Sequence, residues 1–156
     1  MLLNGDNSVT GGLQTVNGFA KGNFFIGVGT GLDYYSYRSV PVFADFRYQF
    51  GHKVNKVFLY GDAGINCNWV QEEFHTKPTI WNGNQSNKFK NGLYTDAGIG
   101  LNAGVKNGNA FVLSLGYSKK NMAEEVTQLD WRSNEFQTDT RKYRFNRIVF
   151  KIGFRF

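Results

Sequence analysis

Apolar and polar residues alternate along much of this chain, most clearly in its last stretch. Every second residue from Ile148 to Phe156 is apolar, whereas Lys151, Gly153 and Arg155 lie at positions between them. Successive side chains of a β-strand point to opposite faces, so the segment predicts a strand with one apolar and one largely charged face. A strand of this kind is typical of a wall between lipid and a polar interior.

The same period of two predicts seven strands in the whole chain. They are Val9–Phe19, Phe24–Tyr35, Val40–Phe50, Val57–Trp69, Leu93–Val105, Ala110–Lys119 and the terminal Tyr143–Phe156. Short turns at 20–23, 51–56 and 106–109 alternate with long polar loops at 70–91 and 120–142, apart from a short link at 36–39, and residues 1–8 form a loop or remnant. Short turns on one rim and long loops on the other are typical of outer-membrane barrels.

The composition agrees with this pattern and indicates a single domain over residues 1–156. Aromatic residues make up 17% of the chain, and there are 19 glycines and only 2 prolines. No stretch approaches the roughly 18 consecutive apolar residues that a transmembrane helix requires. A helical membrane protein is therefore excluded, whereas a β-barrel, in which only alternate residues are apolar, fits well.

The candidates for catalytic or cofactor chemistry are weak. Although the net charge is +6, the cations are scattered and the aromatic residues lie mainly on apolar faces, which argues against a nucleic-acid partner. His52 and His75 are expected on opposite rims, so neither completes a catalytic pair with a nucleophile. Glu72, Glu73 and His75 could ligate a metal, but a solvated loop explains them better. We expect no enzyme activity, no metal and no cofactor.

Alternation alone does not separate a membrane barrel from a soluble lipocalin-like barrel, because both have a period of two. The membrane alternative is favoured by glycine-rich polar faces, by apolar faces without interrupting Lys or Glu, and by balanced charges on the polar faces. A closed interior would need such charges to be paired, because an unpaired buried charge is costly. The predicted charge network in the lumen consists of four acids and four bases: Asp33, Asp45, Asp62, Asp96, Arg47, Arg147, Lys151 and Arg155.

Seven strands are an unusual number, because bacterial single-chain barrels have even counts. An open sheet would also leave backbone groups facing lipid without hydrogen bonds. We therefore expect an eight-stranded antiparallel up-and-down transmembrane barrel, of which about seven strands are present. Its first strand, together with a signal peptide, would lie upstream of Met1.

Three stretches carry a resemblance to a known group of proteins. They are Thr15–Phe19, Asn23–Tyr35 with its Gly-Val-Gly-Thr-Gly core, and Val40–Arg47. These stretches resemble small outer-membrane β-barrel proteins of Gram-negative bacteria, of the OmpA/OmpX-like and porin-like group. The resemblance implies an outer-membrane location and recognition of the last strand, through Phe154 and Phe156, by the barrel-assembly machinery. The group shares no enzymatic activity.

Three functions are compatible with these features. The leading one is an outer-membrane barrel with a structural or surface-interaction role and a lumen plugged by charges, in contact with membrane lipid and lipopolysaccharide. Arg141, Lys142 and Arg144 could meet lipopolysaccharide phosphates, although ordinary solvated charges explain these three residues equally well. The second is a narrow pore for small solutes, although an eight-stranded interior is only just wide enough to be filled by side chains. The third is a soluble lipocalin-like barrel that binds a ligand. A barrel enzyme using Asp62 and Asp96 is a distant fourth.

Overall fold

The structure, a computed structural model, is all-β and describes residues 2–4, 9–35, 37–51, 55–68, 86–106, 109–130 and 135–156. Its strands are β1 (Leu2–Asn4), β2 (Val9–Thr10), β3 (Gly12–Lys21), β4 (Phe24–Tyr35), β5 (Tyr37–Phe50), β6 (Lys56–Asn68), β7 (Ser86–Lys90), β8 (Gly92–Lys106), β9 (Asn109–Asp130) and β10 (Glu135–Arg155). The described residues include no helix with the length and hydrophobicity to cross a membrane.

Seven long strands form one antiparallel up-and-down sheet, in the order β3, β4, β5, β6, β8, β9, β10. Each strand pairs with the next long strand along the chain, as alternating strands joined by hairpins do. The short strand β7 adds to this sheet by pairing with β9. The prediction of seven antiparallel up-and-down strands is therefore confirmed.

The sheet curls around an interior but does not close. Its two outer long strands, β3 and β10, line one cavity of about 530 Å³, yet no backbone ladder joins them among the described residues. Of the strands that the structure describes, only the three-residue β1 bridges the gap, pairing with β10 on one side and with β2 on the other. We call the unbridged part between Gly12–Lys21 and Lys151–Arg155 the seam.

The two faces of the sheet have opposite chemistry. Apolar side chains point outward: Phe19 is 86% exposed, and Ile26, Phe46 and Leu115 are exposed as well. Charged and polar side chains point inward, and Asp45 is only 1% exposed. The alternation of the sequence thus appears in the structure with its apolar positions outside.

Aromatic side chains on the inner face lie over glycines of neighbouring strands. Phe43 is directly opposite Gly29 in the β4–β5 ladder, and Phe58 is directly opposite Gly100 in the β6–β8 ladder. A Cβ added at either glycine would overlap the ring of its aromatic partner. Glycine therefore provides the space in which large side chains fill this narrow interior.

The predicted loop at 120–142 is wrong for most of its length. Strand β9 continues to Asp130 and β10 begins at Glu135, so only residues 131–134 of that range fall outside the described residues. The two strands stabilise each other through a continuous antiparallel ladder from Glu135↔Asp130 to Arg155↔Ala110. Backbone pairing thus extends the strands beyond the apolar alternation on which the prediction depended.

Other boundaries shift by smaller amounts. Of the predicted loop at 70–91, Ser86–Lys90 form β7, and residues 69–85 lie outside the described residues. Of the predicted loop or remnant at 1–8, Leu2–Asn4 form β1 and residues 5–8 lie outside them. The first turn is confined to Gly22 and Asn23, where the positive φ of 62° at Gly22 favours glycine.

Candidate functional site in the charged interior

The inward face brings together acids from four different strands. Asp33 lies on β4, Asp45 on β5, Asp62 on β6 and Asp96 on β8, and all four are buried. Their positions follow from the period of two, because each alternates with outward apolar neighbours. These four carboxylates need partners within the interior.

Three of these acids form a row across adjacent strands. Asp45 is directly opposite Asp62 in the β5–β6 ladder, and Asp62 is directly opposite Asp96 in the β6–β8 ladder. Like charges that face each other across a ladder destabilise a sheet, so the row requires cations. Arg47 and Lys151 supply them, and we call these five residues the carboxylate cluster.

Arg47 binds Asp45 in a fork. Its Nε donates to Oδ1 at 2.8 Å, and its Nη2 donates to Oδ2 at 2.7 Å. The guanidinium carbon also lies 5.2 Å from the ring centre of Phe25 and 5.5 Å from that of Phe58. A planar guanidinium suits both contacts, because it binds a carboxylate in two places and stacks on aromatic faces.

Lys151 joins the other two acids of the row. Its Nζ lies 3.3 Å from Oδ2 of Asp62 and 2.8 Å from Oδ2 of Asp96. The hydroxyl of Tyr60 donates to Oδ1 of Asp96 at 3.0 Å, and that of Tyr94 donates to Oδ2 at 3.2 Å. Lys151 thus links β10 through the interior to β6 and β8, two strands with which β10 shares no ladder among the described residues.

Asp33 forms a second group with two cations from the far side of the sheet. It accepts hydrogen bonds from Lys120 on β9 and from Arg147 on β10, whose Nη1 lies 3.2 Å from Oδ1. Lys120 also donates to the hydroxyl of Ser39 at 3.1 Å. We call Asp33, Lys120 and Arg147 the Asp33 cluster. Because it joins β4 to β9 and β10, it holds opposite walls together.

The two clusters have complementary formal charges. The carboxylate cluster has three acids and two bases, for a net charge of −1, and the Asp33 cluster has one acid and two bases, for a net charge of +1. Arg147 and Asp96 both flank Ser118 in the ladders, so the clusters adjoin. The formal charges of the two clusters therefore balance each other, as a poorly hydrated interior requires.

The membership of these groups differs from the predicted network at one position. Seven of the eight predicted residues lie in the two clusters, but no ion pair of Arg155 occurs among the described residues. Lys120 takes the fourth cationic position, which sequence reasoning missed because it assigned Lys120 to a loop. Every second residue of β9 from Ser114 to Ser118 faces inward, and Lys120 is the next position in this series. Continuing the alternation by two residues would therefore have identified it.

Some inward polar atoms have no hydrogen-bond partner. Among the described residues they include Oδ1 of Asp62, Oδ1 of Asn102 and Oγ of Ser118. All three residues also line the cavity that runs to the seam. No three His, Cys, Asp or Glu side chains of the described part are placed to hold a metal ion. The chemistry available here is hydrogen bonding and ion pairing with polar groups.

The remaining predicted site residues lie elsewhere. Phe154 points outward against Phe111, with ring centres 5.4 Å apart, and Phe156 is 95% exposed. Arg141, Lys142 and Arg144 are exposed on β10. The positions of His52, Glu72, Glu73 and His75 fall outside the described residues.

Comparison of the chain with known proteins found no relatives. No protein-family model matches the chain, and no curated protein or solved structure matches it significantly.

Proposed function

We propose that this chain forms the wall of a small outer-membrane β-barrel with a structural or surface-interaction role and a lumen plugged by paired charges. The observation that supports this most is the inverted distribution of side chains, with apolar residues outside and ionisable residues inside. Monomeric soluble proteins rarely expose contiguous apolar patches larger than a few hundred Å², and larger ones mark contact with a partner or a membrane. Here such residues occur on all seven long strands.

The apolar outer face also ends at one level on neighbouring strands. On β9 the outward residues change from apolar at Tyr117 to polar at Lys119, and on β10 from polar at Asn146 to apolar at Ile148. Tyr117 and Ile148 are directly opposite each other in the ladder. A common boundary is expected of a band that contacts lipid, whose thickness is the same for every strand.

The same orientation weighs against the soluble lipocalin-like alternative. A barrel of that kind would hold its ligand against an apolar inner face, whereas the inner face here contains Asp62, Asp96 and Lys151. The narrow pore remains the second candidate, because the interior contains a cavity of about 530 Å³ with charged walls. The contacts of Asp33 and Lys151 across the interior favour the plugged lumen over the pore.

On this proposal the partners divide by position. Lipid contacts the apolar outer face, and lipopolysaccharide phosphates meet Arg141, Lys142 and Arg144 beyond it. Phe154 and Phe156, exposed at the end of β10, are presented to the barrel-assembly machinery.

Spin labels on two adjacent residues of β9 test the orientation of the wall. Leu115 is exposed and Ser114 is buried, so Leu115→Cys and Ser114→Cys are matched variants. Both are made with Cys67, the single cysteine of the sequence, replaced by serine. In lipid vesicles the label at position 115 should collide readily with oxygen and rarely with a water-soluble nickel complex, and the label at 114 should not show this preference. Protein that stays outside the vesicles, with position 115 accessible to nickel, would contradict the proposal.

A further inference from the structure

The short-turn rim is the end of the sheet at which its short connections lie. Gly22 and Asn23 join β3 to β4, residues 51–55 join β5 to β6, and residues 107–108 join β8 to β9. Because neighbouring strands are antiparallel, β10 reaches the same end with Arg155. The side chains of this rim therefore come from segments that lie far apart in the sequence.

The sequence around this rim contains bases but no acids. All 12 acids of the chain lie outside four stretches that contain the short turns and the end of β10: 7–32, 46–61, 97–123 and 140–156. The bases in or next to the short turns and at the end of β10 are Lys21, Lys53, Lys56, Lys106 and Arg155, of which Lys53 falls outside the described residues. The rim is therefore positively charged, whereas the opposite ends of β9 and β10 carry acids as well as bases.

Three described cations of the rim have no acidic partner. Lys21 is exposed at the last position of the β3–β4 ladder, and Lys56 is half-buried at the start of β6. Arg155 lines the cavity where β10 ends. No ion pair of these three residues occurs among the described residues. The described part of the protein therefore leaves their positive charges uncompensated.

Exposed aromatic side chains lie beside these cations on the outer face. Phe24 is directly opposite Lys21 in the ladder, and its ring centre lies 4.9 Å from that of Tyr48. Phe154, one residue before the end of β10, lies 5.4 Å from Phe111 between ring centres. Aromatic rings of membrane barrels concentrate at the level of the lipid headgroups. In the proposed barrel these aromatic residues would therefore bring the neighbouring cations to the depth of headgroup phosphates.

We propose that the short-turn rim binds the phosphate groups of anionic phospholipids in the leaflet that it faces. The inference rests on the membrane barrel proposed above and adds a lipid contact at the end opposite to the lipopolysaccharide. Lys and Arg extend their stems along apolar surface while the charged group reaches water. Basic segments at a membrane surface attract anionic lipids in this way. The occupant is a lipid rather than a free phosphate ion, because acyl chains also cover the exposed aromatic rings.

Quenching of a fluorophore at the rim tests this contact. Asn109 is exposed, lies opposite Lys106 in the β8–β9 ladder and precedes Ala110, the partner of Arg155. Asn109→Cys, made with Cys67→Ser, therefore carries the dye beside two cations. Vesicles of phosphatidylglycerol and phosphatidylcholine contain, at the same mole fraction, a form of one lipid or of the other with a spin label near the headgroup end of an acyl chain.

The labelled phosphatidylglycerol should quench the dye more strongly than the labelled phosphatidylcholine. Since each Lys or Arg near an anionic surface attracts it appreciably, we expect an excess of about twofold or more. The excess should shrink as salt is raised from about 0.1 M to about 1 M, because the screening length falls from about 10 Å to about 3 Å. An excess that does not respond to salt would contradict an electrostatic contact.

Two double variants locate the charge. Lys106→Gln/Arg155→Gln removes one Lys and one Arg beside the dye and should make the two quenching values equal. Arg38→Gln/Lys119→Gln removes the same two residue types at exposed positions near the opposite end of the sheet, and should keep the excess. An excess that survives the first variant, or is lost in the second, would overturn the inference.

The outcomes distinguish this inference from the function on which it rests. If the label at position 115 reports lipid contact and the rim shows no excess, the inference is overturned and the membrane wall stands. If the protein stays outside the vesicles, both are contradicted. Inorganic phosphate should reduce the excess no more than chloride at the same ionic strength. A loss caused by phosphate alone would mean that the rim binds a free anion, and would overturn the lipid contact.

Discussion

At the scale of single residues, the interior depends on pairing a large side chain with a small one and an acid with a base. Phe58 lies over Gly100, and Arg47 donates hydrogen bonds to both carboxylate oxygens of Asp45. The sequence predicted glycine-rich polar faces and the pairing of acids with bases inside the lumen. It did not predict which base meets which acid, because partners such as Asp33 and Lys120 lie far apart in the chain and meet only across the curled sheet.

Replacing Gly100 by alanine should destabilise the protein. The new methyl group would overlap the Phe58 ring, and overpacking of a core typically costs about 1–3 kcal/mol. Gly61 is the matched control, because it lies on β6 with nothing within 4 Å of an added Cβ. Urea unfolding in micelles should show a lower midpoint for Gly100→Ala and an almost unchanged one for Gly61→Ala. Equal midpoints would contradict the packing described above.

Asp33→Asn should be among the most damaging single changes in the interior. It removes the carboxylate shared by the buried cations Lys120 and Arg147, and breaking a buried ion pair by removing one partner costs about 3–5 kcal/mol.

The free energy of unfolding measures this loss, and Asp33→Asn/Lys120→Met should recover part of it because the double variant buries one cation fewer. Asp139→Asn, at an exposed position of β10, is the control and should change stability by less than about 0.5 kcal/mol. An Asp33→Asn variant as stable as this control would exclude the assigned role of the cluster.

At the scale of elements, alternation predicts strands only where one face is apolar. All seven long strands were found in this way. The alternation did not predict the far halves of β9 and β10 as strands. Their outward residues Lys119, Asn121, Arg144 and Asn146 are polar, and most of their inward residues are polar as well. These segments are strands because their backbones pair with each other, and no local pattern of residues records that pairing.

Hydrogen exchange should separate the observed strands from the predicted loop. Backbone amides of residues 119–125 on β9 lie in a continuous ladder with β10, so their exchange should be slower than that of an unstructured chain by about tenfold or more. The turn at Gly22–Asn23 provides an unprotected comparison in the same sample. If the amides of residues 119–125 exchanged as fast as those of this turn, the segment would be a loop, as the sequence predicted.

At the scale of the whole molecule, the sequence predicted the architecture better than any activity. The seven strands and the composition of each face followed from local alternation. The sequence also favoured the polar face as the inner one, because of its glycines and its balanced charges, and the curled but open sheet has this orientation. The bridging position of β1 was beyond local reasoning, because its three residues form too short a segment to show a period.

A plugged lumen should be electrically silent. We expect the protein in planar bilayers to show no steady openings, because Lys151 spans from β10 to Asp62 and Asp96 across the interior. The double variant Asp62→Ala/Lys151→Ala removes both of these links and should conduct more often than the unmodified protein. Steady openings of the unmodified protein would instead favour the narrow pore, and protein-free bilayers with the same detergent provide the baseline.

The length of the last hairpin has a mechanical consequence. Strands β9 and β10 contain 22 and 21 residues. At about 3.4 Å per residue each extends over roughly 70 Å, whereas the hydrocarbon core of a bilayer is only about 30 Å thick. In the proposed membrane barrel, a hairpin of this length would project beyond the headgroups as a rod, even when tilted. A partner that bound the far end of this hairpin would transmit force to the barrel wall through two hydrogen-bonded strands. A protease that cleaved the projecting part should leave the rest of the proposed barrel in the membrane.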